Sequence, residues 1–444
     1  MRLLRRTGVV VALAGGVVAV TALPAAAQDA AATIDSGNTA WMLASAALVM
    51  FMTPGLAFFY GGLVRSKNVL STIMYCFMAL GVVTVIWVLV GHTLAFGPDI
   101  GKVIGEGGWI GGLDFLGFKD VGDAPYAPLT IPHTTFAIYQ MMFAVITPAL
   151  IAGTYAERMK FSAYIVFTAV WVIVVYAPVA HWVWGGGLLG LSGLGALDFA
   201  GGTVVHQNAG AAALAAAFVL GKRKGYPNEP MLPHNVPYVV LGASILWFGW
   251  FGFNGGSALA ADGFASLAFA NTHVATAAAL LGWLIPERMR HGKATTVGAA
   301  TGAVAGLVAI TPASGYVRPW SAMIIGFVAG ILCYFAVSLK RRFNYDDSLD
   351  VVGVHYVGGL IGAILTGVFA TKSAISPLGG LVYTGEFDQV LRQLVASGIT
   401  TVWAFVLSFV ILKIIDVTIG VRATEAEEET GLDLSMHGEA AYTG

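Results

Sequence analysis

The chain has 444 residues, of which 57% are hydrophobic and 11% charged, with a formal net charge of −1. An ordinary soluble domain carries roughly 25% charged residues, so the composition excludes a string of soluble domains and fits a membrane-embedded helical protein. The balanced charge offers no basic surface for nucleic acid, and the two cysteines, Cys76 and Cys333, lie in apolar runs that imply no disulfide framework, metal or cofactor.

The chain opens with Arg2, Arg5 and Arg6, an apolar stretch over 9–23, and Ala25-Ala26-Ala27. Basic, apolar and small-residue zones in that order predict a secretory signal peptide over 1–27. The mature chain then divides into a transmembrane domain, 28–420, and a tail, 421–444. Apolar runs near the roughly 20 residues that cross hydrocarbon lie at 41–61, 70–94, 136–153, 163–183, 202–221, 236–256, 264–285, 296–310, 323–339, 352–370 and 394–415. The eighth is the shortest. The sequence therefore predicts an all-α membrane protein of eleven transmembrane helices.

With the signal removed, the amino terminus lies outside and the odd-to-even connections face the cytoplasm. Of the 20 basic residues after the signal, 15 fall on the predicted inner side and 5 on the outer. That asymmetry supports an outer amino terminus and a cytoplasmic carboxyl terminus. Glycines inside spans, such as Gly353, Gly358, Gly359 and Gly362, let helix backbones approach closely where lipid gives no hydrophobic drive.

The fifth and tenth spans share a pattern, Thr203-Val204-Val205-His206 and Val352-Gly353-Val354-His355, each followed by small residues. A repeat of five helices is odd, so its second copy crosses upside down, giving an inverted five-plus-five repeat plus a final helix. Ionisable residues inside spans default to a functional reading. His206 and His355 would meet near the bundle axis as neutral rings, each with one donor and one acceptor nitrogen. Each is equally open to a plain packing role, bonded to a helix carbonyl, and His92, His133, His181 and His273 also fall in or beside spans. Asp198 stands eight residues before His206 and Asp350 five before His355. Both are expected to cap the starts of their helices, with Asp198 acting in addition at a distance on a cation at the outer mouth.

Trp184 precedes Gly185-Gly186-Gly187, Phe143 lies in the third span, and Phe253 sits in Trp250-Phe251-Gly252-Phe253-Asn254. Aromatic faces attract small cations by about 0.5–2 kcal/mol per contact, although interfacial belts place the same residue types here.

Taken together, Ala180-His181-Trp182-Val183-Trp184-Gly185-Gly186-Gly187, the run Leu197-Asp198-Phe199-Ala200-Gly201-Gly202 leading to His206, Gly249 to Ser257, Ala156-Glu157-Arg158 and Asp350 to His355 resemble the signature of ammonium transporters of the Amt/Mep/Rh superfamily, bacterial Amt branch. The resemblance covers nearly the whole mature chain. It implies an outer ammonium-recruitment site at Trp184, Phe143 and Ser257, with Asp198 and Tyr139 beside it. It further implies a stacked gate of Phe143 and Phe253 and a pore of twin histidines, His206 and His355. Tyr139 stands where some members have phenylalanine and adds a hydroxyl. The family also implies ammonium, ammonia and methylammonium as substrates, a homotrimer in the lipid of a bacterial inner membrane, and regulation of the tail by PII proteins. In the tail, Gly431 to Tyr442 are read as docked on the cytoplasmic face and the acid run Glu425, Glu427, Glu428 and Glu429 as solvated. Two other functions remain open, an ammonium sensor and an Rh-like gas channel. An added signalling domain would favour the sensor, and the tail is short for one, while Trp184 and Ser257 favour ion recruitment over a gas path. No nucleophile and base set suggests an enzyme.

Overall fold

The computed structural model describes residues 33–442, so the expected signal segment, 1–27, lies outside the described residues. Eleven long helices follow one another: α1 (Ser36–Leu63), α2 (Ser66–Phe96), α3 (His133–Tyr155), α4 (Phe161–Trp184), α5 (Gly202–Leu220), α6 (Val236–Ala258), α7 (Gly263–His291), α8 (Thr296–Ile310), α9 (Pro319–Arg342), α10 (Val352–Phe369) and α11 (Asp388–Thr418). Among the described residues ten are long and apolar enough to cross a membrane, and α8, at 15 residues, is shorter. Nearly all of α8 from Gly298 to Ile310 is buried against its neighbours, while its first residue, Thr296, is exposed. The expected all-α architecture is the one observed.

Each helix coincides with an apolar run, but several extend beyond it where a polar residue holds the end. The Asp262 carboxylate accepts the N–H groups of Phe264 and Ala265 (both 2.9 Å) and starts α7 ahead of its apolar stretch. α3 is buried along nearly its whole length and forms the central strut, whereas α2 and α11 are peripheral and turn Phe77, Val85, Leu89, Val402 and Val406 outward. An outward face of that composition suits lipid.

Close packing depends on absent side chains. A Cβ on Gly326 or Gly330 in α9 would collide with the carbonyls of Ala275 and Ala279 in α7. At the centre, Gly210 of α5 lies against the backbone of Tyr356, and Gly359 of α10 against the Gly202 carbonyl and Gln207. Each of these glycines stands four residues after its helix's histidine, so α5 and α10 embrace through equivalent positions. α5 starts at the face that carries Trp184, and α10 at the opposite face, where Arg223 and Lys340 gather. This is the crossing expected of inverted repeats.

The tail returns across the second face. The carboxylate of Asp433 accepts the N–H groups of Leu70 and Ser71 (2.9 and 2.8 Å), Asn68 accepts the Leu432 N–H (2.8 Å), and Ala423 N–H donates to the Arg158 carbonyl (2.9 Å). In the acid run Glu425 and Glu429 are exposed as expected, and Glu428 departs from the solvated state. The run forms a short helix, α12 (Glu425–Thr430), closed by a reciprocal Thr424–Glu427 cap, and Glu428 is buried against the Arg422 guanidinium (2.6 Å). Arg422 supplies the partner that a run of like charges lacks when read alone.

Candidate functional site

α5 begins at a sharp turn. Gly201 has φ +115°, a left-handed conformation that a glycine adopts without strain. The turn brings four successive N–H groups onto one side chain: Asp198 Oδ1 accepts from Gly201 and Gly202 (2.8 and 2.7 Å), and Oδ2 from Thr203 and Val204 (2.8 and 3.0 Å). These are the amides that a helix start leaves without partners. Burial pushes the Asp198 carboxyl above its ordinary proton affinity against the pull of those N–H groups. The same residue's backbone carbonyl accepts the Trp184 indole N–H (2.9 Å). Asp198 is thus the helix cap the sequence predicts, and it also fixes the neighbouring indole.

The expected counterpart in α10 is corrected. Asp350, at φ +63°, turns to Lys340 (2.6 Å) and does not cap the helix. Asp347 does: it accepts the Val352 N–H (2.7 Å) and the Thr154 hydroxyl (2.8 Å). Asp347 stands eight residues before His355, the same offset as Asp198 from His206, so that spacing was the signal available in the sequence.

Both histidines lie in a widened π-turn at the start of their helices, Gly202–Gln207 and Val352–Tyr356. The rings of His206 and His355 meet nearly parallel, centroids 5.4 Å apart and Nδ1 atoms 3.3 Å apart, so one Nδ1 donates and the other accepts. Among the described residues His206 Nε2 has no hydrogen-bond partner. Next to the pair is a chamber of about 10 Å³, walled by Leu150, Leu246, Val304, Trp250 and Phe253. That is room for about one water-sized molecule. Trp250, which sequence reasoning did not single out, stacks on His206 at 5.2 Å and is anchored by its indole N–H to the Thr311 hydroxyl (2.9 Å).

Beyond Phe253 the site widens toward the Trp184 face. Phe143 and Phe253 lie against each other with rings tilted by 37° and centroids 4.3 Å apart, Trp184 meets Phe143 edge-on at 5.7 Å, and Phe253 lies 6.0 Å from His206. A vestibule of about 310 Å³ is walled by Phe143, Trp184, Ser257, Asp198 and Gln140. Tyr139 stands behind that wall and does not present its ring to it. The side chain is fully buried, its hydroxyl lies 2.9 Å from the Gly252 and Phe253 carbonyl oxygens and 3.3 Å from Ser257 Oγ, and its ring touches Phe143 edge-on at 5.0 Å. Ser257 donates to the Phe253 carbonyl (2.8 Å). The predicted residues therefore form one column from vestibule to histidines, with Tyr139 bracing it.

On the opposite face a second vestibule, about 460 Å³, is bordered by Arg223, Tyr226, Glu229, Lys340 and Asp350. Beside it Glu157 lies between Arg65 and Arg223, and Asp346 between Arg223 and Arg158. Burial disfavours the charged carboxylates, but the guanidinium groups outweigh it and hold both acids below the ordinary range.

The family model of the Ammonium Transporter Family matches residues 40–442. An ammonium transporter of Bacillus subtilis is 51% identical over 91% of this chain and 98% of its own length, and one of Mycobacterium tuberculosis is 49% identical over 92% and 90%. Among solved structures, Candida albicans Mep2 aligns with a TM-score of 0.81 at 37% identity, covering 89% of this chain and 88% of that one. A protein described as a sensor Amt protein aligns with a TM-score of 0.82 at 32% identity, covering 90% and 98%.

Proposed function

The chain belongs to the ammonium transporter family, and from that membership we propose that it transports ammonium by recruiting the ion at the outer aromatic mouth, removing a proton, and conducting ammonia past the twin histidines. The observation that carries this reading is the unbroken column Trp184, Phe143, Phe253, His206, His355, with neighbouring centroids 5.7, 4.3, 6.0 and 5.4 Å apart.

The physical case runs from the mouth inward. Trp184 and Phe143 offer aromatic faces to a cation, and Ser257 offers a hydroxyl oxygen. Asp198 acts on the cation at a distance, since its carboxylate is already occupied by four N–H groups. Ammonium and potassium are alike in size and charge, so this site alone separates them poorly. Below it, Phe143 and Phe253 close the path, and the chamber beyond is apolar apart from two imidazoles. An intact ion buried there meets an effective penalty of several kcal/mol. Ammonia does not, and it finds an acceptor or donor at the unpartnered His206 Nε2. Selectivity then follows from a step that potassium cannot perform, the loss of a proton.

The same reading includes methylammonium as a substrate, a homotrimer, a bacterial inner membrane with the amino terminus outside, and a PII-type protein at the docked tail. The sensor remains as a second reading because a sensor Amt protein aligns along nearly its full length. Currents recorded from purified protein in liposomes decide between them. Ammonium is expected to carry flux where potassium does not, and an ammonium-binding protein without flux would favour the sensor. His206→Ala and His355→Ala should each assemble and then either stop conducting ammonium or begin to admit potassium. Normal assembly with unchanged ammonium flux and potassium exclusion in both variants would sink the twin-histidine mechanism.

A further inference from the structure

Trp184 is the last residue of α4, and an exposed helix end is a poor place to hold a recognition side chain still. The end of α4 is instead gripped by the connection between α2 and α3, which contains a short antiparallel ribbon, β1 (Asp99–Ile100) and β2 (Ile110–Gly111). Trp182 donates its indole N–H to the Trp109 carbonyl (2.7 Å), and Leu188 N–H donates to the Gly108 carbonyl (3.1 Å). Between those two bonds lies a third. His181, fully buried and three residues before Trp184, has Nδ1 3.0 Å from the Ala95 carbonyl and Nε2 2.5 Å from Asp99 Oδ1.

Both ring nitrogens face acceptors. A carbonyl oxygen only accepts, so Nδ1 carries a hydrogen and the Nε2 contact needs a second one, held by the ring or by the acid. Held from both nitrogens, the ring has little freedom to turn. The glycine run after Trp184 is shaped to admit it. A Cβ on Gly185 would collide with the Ala95 carbonyl and sit 2.7 Å from His181 Nδ1, and one on Gly108 would collide with the Asp99 carboxylate. Gly185 and Gly187 N–H groups donate back to the His181 carbonyl (both 3.0 Å). The turn that carries the indole is therefore folded around the imidazole. On its far side Trp184 donates its indole N–H to the Asp198 carbonyl (2.9 Å) and meets Phe143 edge-on.

We propose that the Asp99–His181 pair is a positioning device for Trp184, which sets the apparent affinity of the outer mouth for ammonium through the placement of the indole. Neither residue is among those that wall the vestibule, so the pair acts through the helix end and not by contact with the ion. The inference rests on the reading of Trp184 as the recruitment residue.

The experiment is a double-mutant cycle on the full chain in liposomes, with methylammonium uptake followed across a concentration series. Asp99→Ala is expected to raise the half-saturating concentration about two- to fivefold, the loss of part of one cation–π contact, with the maximal rate kept within about twofold. Asp99→Asn retains a hydrogen bond without the charge and should fall between. In a Trp184→Leu background Asp99→Ala should add nothing, because coupled residues are not additive. An equal effect of Asp99→Ala in both backgrounds, or an unchanged half-saturation beside a lower melting temperature, would make the pair purely structural and overturn the proposal. If Asp99→Ala fails to assemble, Asp99→Asn and Asp99→Glu carry the same cycle. Trp184→Leu alone separates the two levels: if it leaves half-saturation unchanged, the recruitment reading fails, and this proposal with it, whereas a raised value with silent Asp99 variants defeats only the positioning role.

Discussion

At the start of α5, Asp198 accepts four backbone N–H groups, and among the described residues no basic side chain pairs with it. At the start of α10, Asp347 accepts one N–H and one hydroxyl, while Lys340 reaches over it to donate to its carbonyl (2.9 Å) and to pair with Asp350 (2.6 Å). Both helices then widen into a π-turn and place a histidine at the same offset. Two helix starts of the same geometry thus differ in the charge around them. The start of α5, beside Trp184, keeps a buried carboxylate that among the described residues only amides compensate. The start of α10, on the opposite face, has acids paired with Lys340, Arg223 and Arg158 close by. Shared geometry fixes the histidines, while the charge around the two caps differs.

The strongest way to break that comparison is to remove the caps in turn. Asp198→Ala strands four buried N–H groups, each costing about 1–3 kcal/mol when left unsatisfied, so the variant is expected to fail to assemble. Asp347→Ala strands one N–H and the Thr154 hydroxyl and should assemble with a lower melting temperature. Equal losses, read as yield and thermal midpoint in detergent, would mean the two caps do the same work.

A milder test exploits the asymmetry between the rings. His206 is stacked by Trp250, whereas His355 has no such partner on its far side among the described residues. Trp250→Leu keeps the chamber apolar but frees His206, and ammonium flux should fall severalfold while the protein folds normally. Flux unchanged from wild type would show that His206 is held by its partner histidine and helix alone.

The smallest expected effect is at the brace. Tyr139→Phe removes from α3 the hydroxyl that contacts the Gly252 and Phe253 carbonyls of α6, worth about 1 kcal/mol, and keeps the ring against Phe143. Half-saturation should move less than twofold, with a slightly lower melting temperature. A large rise in half-saturation would place the hydroxyl in recruitment itself.

Much of this was legible from residues alone, because apolar runs and span-internal histidines are costly arrangements with few meanings. What was not legible depended on partners far away in the chain. Asp350 was nearer to His355 than Asp347 and looked like the cap, yet Lys340 draws its side chain away. Within the acid run the sequence does not mark Glu428 apart from its exposed neighbours, and only the fold brings it onto the Arg422 guanidinium. Tyr139 shares a face with Phe143, and only the packing of α6 against α3 puts its hydroxyl on the Gly252 and Phe253 carbonyls. Helix lengths were read short for a related reason: hydropathy measures the stretch that must avoid water, whereas α7 and α11 continue until a cap or glycine stops them.

The sequence by itself determined the medium, the number of helices and the pairing of the two histidine-bearing segments, because burial in hydrocarbon forces every backbone amide into a helix and makes each polar residue within it conspicuous. Only the tertiary structure decided that five aromatic and imidazole rings from α3, α4, α5, α6 and α10 form one column, that Trp250 backs one histidine, and that a distant aspartate grips the end of α4. Those contacts join positions up to about 150 residues apart, and no local pattern encodes them, since they exist only once helices from both halves have packed through their small residues.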